Sequence, residues 1–72
     1  MFNGGFKNWE TYNVAKWITE APAFHQIARF CEDYDEFADA VARLGITDTG
    51  DSVRWNDPKL DIIALNEIIK TC

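Results

Sequence analysis

Few residues in this chain have side chains able to do chemistry. His25 is the only histidine, and an imidazole that titrates near neutrality could act as a general base. No second group is spaced to assist it. Helical spacing sets His25 with Arg29 and Glu32 on a polar face opposite Phe24 and Ile27, so a solvated surface histidine is expected. His25 and Cys31 lie on different helical faces, and neither Cys-x-x-Cys nor His-x-x-x-His occurs, so no metal site is expected. Asp48 and Asp51 flank Gly50 without the acidic ladder and distal Glu of a calcium loop; turn chemistry accounts for them. Cys31 reads as a small core hydrophobe. Cys72 ends the sequence and, if exposed, is an oxidation liability with no implied redox role. The expectation is a protein with no catalytic residue, cofactor or metal.

The acidic run is the sharper feature. Glu32, Asp33, Asp35, Glu36 and Asp39 surround Tyr34 and Phe37. One reading is a capped, solvated helix start, because acids favour the positive end of the helix dipole. The other is a docking surface for a protein with a basic face, or crude mimicry of a phosphate backbone, with Glu32, Asp33, Tyr34, Asp35, Glu36 and Asp39 as partner-binding residues. The second reading requires an exposed Tyr34 or Phe37 beside uncompensated acids.

Charge excludes other partners. With 12 acids against 7 bases the net charge is −5, whereas nucleic-acid affinity rests on Lys and Arg neutralising phosphates. A helix-turn-helix reading fails similarly, since the second of its helices would open on Asp33, Asp35, Glu36 and Asp39. The longest apolar run, from Ile62 to Leu65, is far too short to span a membrane. Two cysteines make no disulfide framework, so a reducing cytoplasm is expected, with the protein a monomer or weak dimer.

The elements follow from periodicity. The quartet i, i+3, i+4, i+7 appears as Val14, Trp17, Ile18, Ala21; as Phe24, Ile27, Ala28, Cys31; as Phe37, Ala40, Val41, Leu44; and as Leu65, Ile68, Ile69, Cys72. This predicts four short helices, each with one inward face. Asn8 or Thr11 can cap the first. Pro22 suits the first turn of the second, Asp33 and Glu36 have capping-box spacing, and Gly45 closes the third. Asp61 is preferred over Asp57-Pro58 as the start of the fourth. Between Ile46 and Leu60 turn formers dominate, marking a long loop in which alternating Val53 and Trp55 lay an extended piece on the bundle. The fold class is all-α: one compact domain of about four short helices, residues 1–72, with the long loop between helices three and four and residues 1–7 loose. Phe2 or Phe6 could dock.

One segment exceeds what helix formation needs. In Asn8-Trp9-Glu10-Thr11-Tyr12-Asn13-Val14-Ala15-Lys16-Trp17-Ile18, the residues Trp9, Asn13 and Trp17 share a helical stripe. Trp17 belongs to the inward quartet and is expected in the core. Trp9 and Asn13, at its edge, are expected to contact the Trp55 loop, where backbone groups would satisfy the Asn13 amide. The stripe reads better as a clamp than as a ligand face.

At Asn8-Trp9-x-Thr11-Tyr12-Asn13-Val14-x-x-Trp17-Ile18 the chain resembles a family of uncharacterised small proteins of tailed phages, cyanobacterial phages among them, and of some bacteria. The resemblance continues through Trp55, Asp57, Leu60, Asp61, Leu65, Asn66, Ile68 and Ile69. It departs at Gly50-Asp51-Ser52-Val53, where Asp-Gly directly before Val is the family pattern. The resemblance implies no activity, cofactor or catalytic residue. It implies a context, a phage-encoded protein acting in a bacterial cytoplasm.

Three functional readings follow. The first is a non-enzymatic acidic interaction protein that binds a host or phage protein. The second is small-ligand binding or minor catalysis in a cleft between the first helix and the loop, walled by Tyr12, Asn13 and Trp55. The third is a minor virion or assembly component.

Overall fold

A computed structural model describes residues 6–72. Four helices succeed one another: α1 (Trp9–Glu20), α2 (Pro22–Arg29), α3 (Tyr34–Arg43) and α4 (Ile62–Thr71). The molecule is a small all-α bundle with a long loop between α3 and α4. Within that loop Asp48 and Arg54 form an isolated antiparallel bridge.

Three of the four helices start on a side-chain cap. Asn8 caps α1, its Oδ1 accepting from the Thr11 N–H at 2.9 Å. Ala21 ends α1 and opens α2, with no side chain to cap it, and Pro22 occupies a first-turn position where its missing donor has no cost. Asp33 caps α3 through the Glu36 N–H at 2.9 Å. The return half of this box is displaced by one residue, because Glu36 Oε1 accepts from the Glu32 N–H at 2.6 Å rather than from the cap itself. Asp61 caps α4 through the Ala64 N–H. Gly45 takes φ +82°. Its N–H reaches Ala42 O and the Ile46 N–H reaches Val41 O, each at 3.0 Å, so the end of α3 is a Schellman closure that favours glycine.

The core is built where these faces meet. Val14 and Ile18 of α1, Ala28 of α2, Phe37 and Val41 of α3, and Leu65 and Ile69 of α4 are buried together with Val53, Trp55 and Leu60 of the loop. The loop is therefore part of the core rather than a cover laid over it.

Three expectations about faces are corrected. The inward quartet of α3 starts one turn earlier than expected, at Tyr34, Phe37, Ala38 and Val41; Tyr34 is 1% exposed and Leu44 64%. The cause is the Schellman closure, which places Leu44 at the C-cap, beyond the last turn, where it leaves the helical face. Trp17 is half-buried at the rim of the core rather than inside it. His25 is no solvated residue: it is half-buried, and its Nδ1 is shielded from water without a hydrogen-bond partner. Phe6 packs against the core and its ring lies 6.2 Å from that of Tyr12. The rest of the opening expected to be loose, Met1 to Gly5 with Phe2, lies outside the described residues.

The tight turn at 49–53 is closed by the Thr49 N–H to Val53 O at 2.7 Å and the Ser52 N–H to Thr49 O at 3.0 Å. Ser52 has φ +69°, the one non-glycine residue in left-handed conformation among those described. A side chain there costs about 1–2 kcal/mol, which glycine avoids while losing more entropy on folding. Ser52→Gly is therefore expected to raise stability in urea denaturation by about 0.5–1 kcal/mol; a loss would show that the serine hydroxyl contributes to the turn.

Candidate functional site

Two places concentrate polar or exposed groups beyond what the helices require. The first is the face of α1 that carries the Asn8 to Ile18 segment. Asn13 is 2% exposed, so its amide must be satisfied inside the protein. Its Nδ2 donates to Asp51 Oδ2 at 2.7 Å, and its Oδ1 accepts from Thr49 Oγ1 at 2.8 Å. Thr49 Oγ1 in turn accepts from the Asp51 N–H at 3.1 Å and the Val53 N–H at 3.3 Å. Asn13, Asp51 and Thr49 thus close a ring of hydrogen bonds between helix and turn. Trp17 Nε1 adds a bond to the same Asp51 oxygen at 3.0 Å. The expectation that Asn13 meets loop backbone is corrected: both partners are side chains, Asp51 and Thr49.

Gly50 lies between these bonds. A Cβ at this position would stand 2.6 Å from Trp17 Cζ2 and 2.8 Å from Cη2, so the indole lies flush on the glycine and any larger residue must displace it. The Trp17–Asp51 bond depends on that close approach.

The other end of the loop is fastened by the opening of the same segment. Asn8 Nδ2 donates to Lys59 O at 2.7 Å. Thr11, fully buried, donates from Oγ1 to Asn8 Oδ1 at 2.6 Å and accepts the Asp61 N–H at 2.9 Å. Thr11 is therefore a tie between the starts of α1 and α4 rather than a cap. Trp9, expected to touch the loop, is 43% exposed, and Tyr12 is half-buried beside Phe6.

Between the two ties sits Trp55, 2% exposed. Its ring centroid lies 5.0 Å from that of Phe24 and 5.4 Å from that of Phe37, the latter edge-on, separations at which aromatic quadrupoles attract. Tyr34 Oη donates to Trp55 O, and burial pushes the Tyr34 phenol well above its ordinary pKa, so it remains a donor. Asn66 Oδ1 of α4 accepts from the Tyr34 N–H at 2.8 Å, satisfying a free first-turn donor of α3.

The cleft reading depends on the same amide. It needs an Asn13 amide directed at a ligand, and both amide atoms are committed to the turn.

The second place is the acidic segment. Glu32, Asp33, Asp35, Glu36 and Asp39 are all exposed, while Tyr34 and Phe37, one of which the docking reading required at the surface, are both buried. The exposed apolar side chains here are others. Phe30 is 83% and Leu44 64% exposed, and they border an open groove of about 520 Å³ between α2 and α3, with Ile27, Cys31 and Ala40 in its lining and Glu36 and Asp39 along it. Arg43 also lines it, held to Asp39 by an ion pair of 2.9 Å. Burial, with Glu36 and Asp33 adding to it, pushes the Cys31 thiol up, which keeps it protonated and unreactive. Among the described residues no cluster of His, Cys, Asp and Glu could hold a metal, and no helix is long and apolar enough to cross a membrane.

The sequence by itself gives no sign of the tie-forming roles of Thr49, Asp51 and Asn66, nor of Phe30 in the groove. A buried Asn facing a loop calls for a partner with a free oxygen, and Asp51 is one of the loop's candidates. Phe30 stands outside every apolar quartet.

A small helical domain whose first helix ties down both ends of a long loop is the class that fold and site define. The chain belongs to the family of unknown function DUF7249, whose model matches residues 1–72. No curated protein and no solved structure matches it.

The clamp has a pH signature. Hydrogen bonds from Asn13 first, then Trp17, with Lys16 adding to them, hold the Asp51 carboxyl below its ordinary value against partial desolvation. An unfolded aspartate titrates near about 3.9, so the increment from ionised Asp51 is complete above that pH and lost as pH falls through the lower folded value. Wild type is expected to exceed Asp51→Asn in stability at neutral pH, with the difference shrinking as pH falls below about 4. A difference that is constant from neutral pH into acid would contradict the assignment.

Proposed function

We propose that this protein is a non-enzymatic interaction domain that binds another protein through the α2–α3 face. The observation supporting this is the pair Phe30 and Leu44, 83% and 64% exposed, on a groove beside Glu36 and Asp39. Large apolar side chains bordering one concave surface with a charged rim are the kind of patch that protein partners cover. The acidic residues Glu32, Asp33, Asp35, Glu36 and Asp39 serve as rim, and the apolar contact comes from Phe30 and Leu44 in place of Tyr34. In this reading the partner is a host or phage protein with a basic surface, met in a bacterial cytoplasm by a phage-encoded chain. The sequence resemblance supports that context.

A minor virion or assembly component would use the same face, and mass spectrometry of purified particles distinguishes it. Affinity capture from host and infected cells, with wild type beside a Phe30→Ser/Leu44→Ser variant, tests the proposal. Both positions are exposed, so circular dichroism should show the variant folded. The expected result is a reproducible partner whose recovery drops at least about tenfold with the variant, equivalent to about 1.4 kcal/mol of lost affinity. No partner, or equal recovery by both, would overturn it.

A further inference from the structure

The chemistry of the α2–α3 groove also says what kind of segment would fill it. We propose that the groove takes a basic amphipathic helix, an inference that rests on reading this face as an interaction surface. Charge sets the sign of the occupant. The groove's own lining carries Glu36, Asp39 and Arg43. Arg43 is paired with Asp39 at 2.9 Å, which leaves Glu36 as the unpaired charge of the lining, with the exposed Arg29 next to Phe30 on the α2 side. Glu32 and Asp35, close to Glu36 in the sequence but outside the lining, are exposed and, like Glu36, have no salt-bridge partner among the described residues, so Lys or Arg flanking an apolar stripe would be attracted to the α3 side of the groove.

Backbone chemistry sets the conformation. The groove lies between two helices whose N–H and C=O groups bond within the helices, and the described residues include no strand with an open edge. An extended peptide would find no ladder to join, and its own buried backbone groups would go unpaired. A polyproline segment docks between aromatic side chains, and Phe30 is the single aromatic lining this groove. A helix arrives with its backbone already satisfied and offers apolar side chains one turn apart, able to seat against Phe30 and Leu44. Ala40 and Cys31, both small, leave room for its approach.

Two other occupants are disfavoured by the same charge. A second copy docked by this face in two-fold fashion would bring acidic segments together, in a protein of net charge −5. An anionic lipid surface would be repelled.

The test uses the full-length isotope-labelled protein and a designed Leu/Lys peptide of about 18 residues, roughly five helical turns. Comparison peptides have the same composition with scrambled apolar spacing, or Glu in place of Lys. Amide shifts followed by NMR should map to residues from Ile27 to Leu44. The scrambled peptide, the Glu peptide and the Phe30→Ser/Leu44→Ser protein should each bind at least about tenfold more weakly. Binding should also weaken as salt rises from about 50 mM to about 500 mM. Absent shifts, shifts centred on α1 or α4, or equal binding of the scrambled peptide would overturn the proposal. So would self-association detected by sedimentation and mapping to Phe30 and Leu44. If the peptide fails while the variant still abolishes cellular capture, the helical occupant is wrong and the interaction face stands; if both fail, the face falls too.

Discussion

The structure depends on one closed circuit of hydrogen bonds. Asn13 donates to the Asp51 carboxylate, the Asp51 N–H donates to Thr49 Oγ1, and Thr49 Oγ1 donates back to Asn13 Oδ1. A buried amide left without partners costs about 1–3 kcal/mol, a large fraction of the stability of a domain of 72 residues. The turn at 49–53 faces the complementary problem, since the buried Val53 N–H needs an acceptor, and Thr49 Oγ1 supplies it. Each partner resolves the other's deficit. The circuit joins positions 36 and 38 residues apart and so fixes where a long, otherwise irregular segment meets α1.

Everything central in the core follows from that fixing. The loop carries Val53, Trp55 and Leu60 inward, and Trp55 stands between Phe24 of α2 and Phe37 of α3. Helices of eight to twelve residues have little stability alone. Here the loop supplies the wedge on which they pack, and the Asn8 and Thr11 ties hold its far end against the start of α4. Asn66 and the Tyr34 hydroxyl then link α4, α3 and the loop. The Asn8 to Ile18 segment is thus a single device with two ends, one for 59–61 and one for 49–51. The external face of α2 and α3 takes no part in it and is free to carry Phe30 and Leu44.

Much of this was legible in the residues. Helix periodicity, Asn8, Pro22, Asp33, Gly45 and Asp61 placed the four helices because caps and apolar period are local effects within one or two turns. The role of Asn8 to Ile18 as a clamp on the loop followed from its polar residues lying beside an inward face. What escaped detection was non-local. The partner of Asn13 could not be chosen among loop oxygens without knowing how the turn used its own backbone. The phase of α3 was misjudged because Leu44 extends the apolar period past the glycine closure that ends the helix. Phe30 stands outside every apolar period, so no local pattern marks its exposure.

The central claim is that the Asn13 circuit holds the loop, and through it the core. Native-state amide hydrogen exchange of Asn13→Leu against wild type tests it most directly, since leucine matches the amide's size and removes its bonds. The account predicts that the Thr49, Ser52 and Val53 amides lose protection by about tenfold or more, with global stability down by about 1–3 kcal/mol. Unchanged protection of those amides together with equal or raised thermal stability would contradict it.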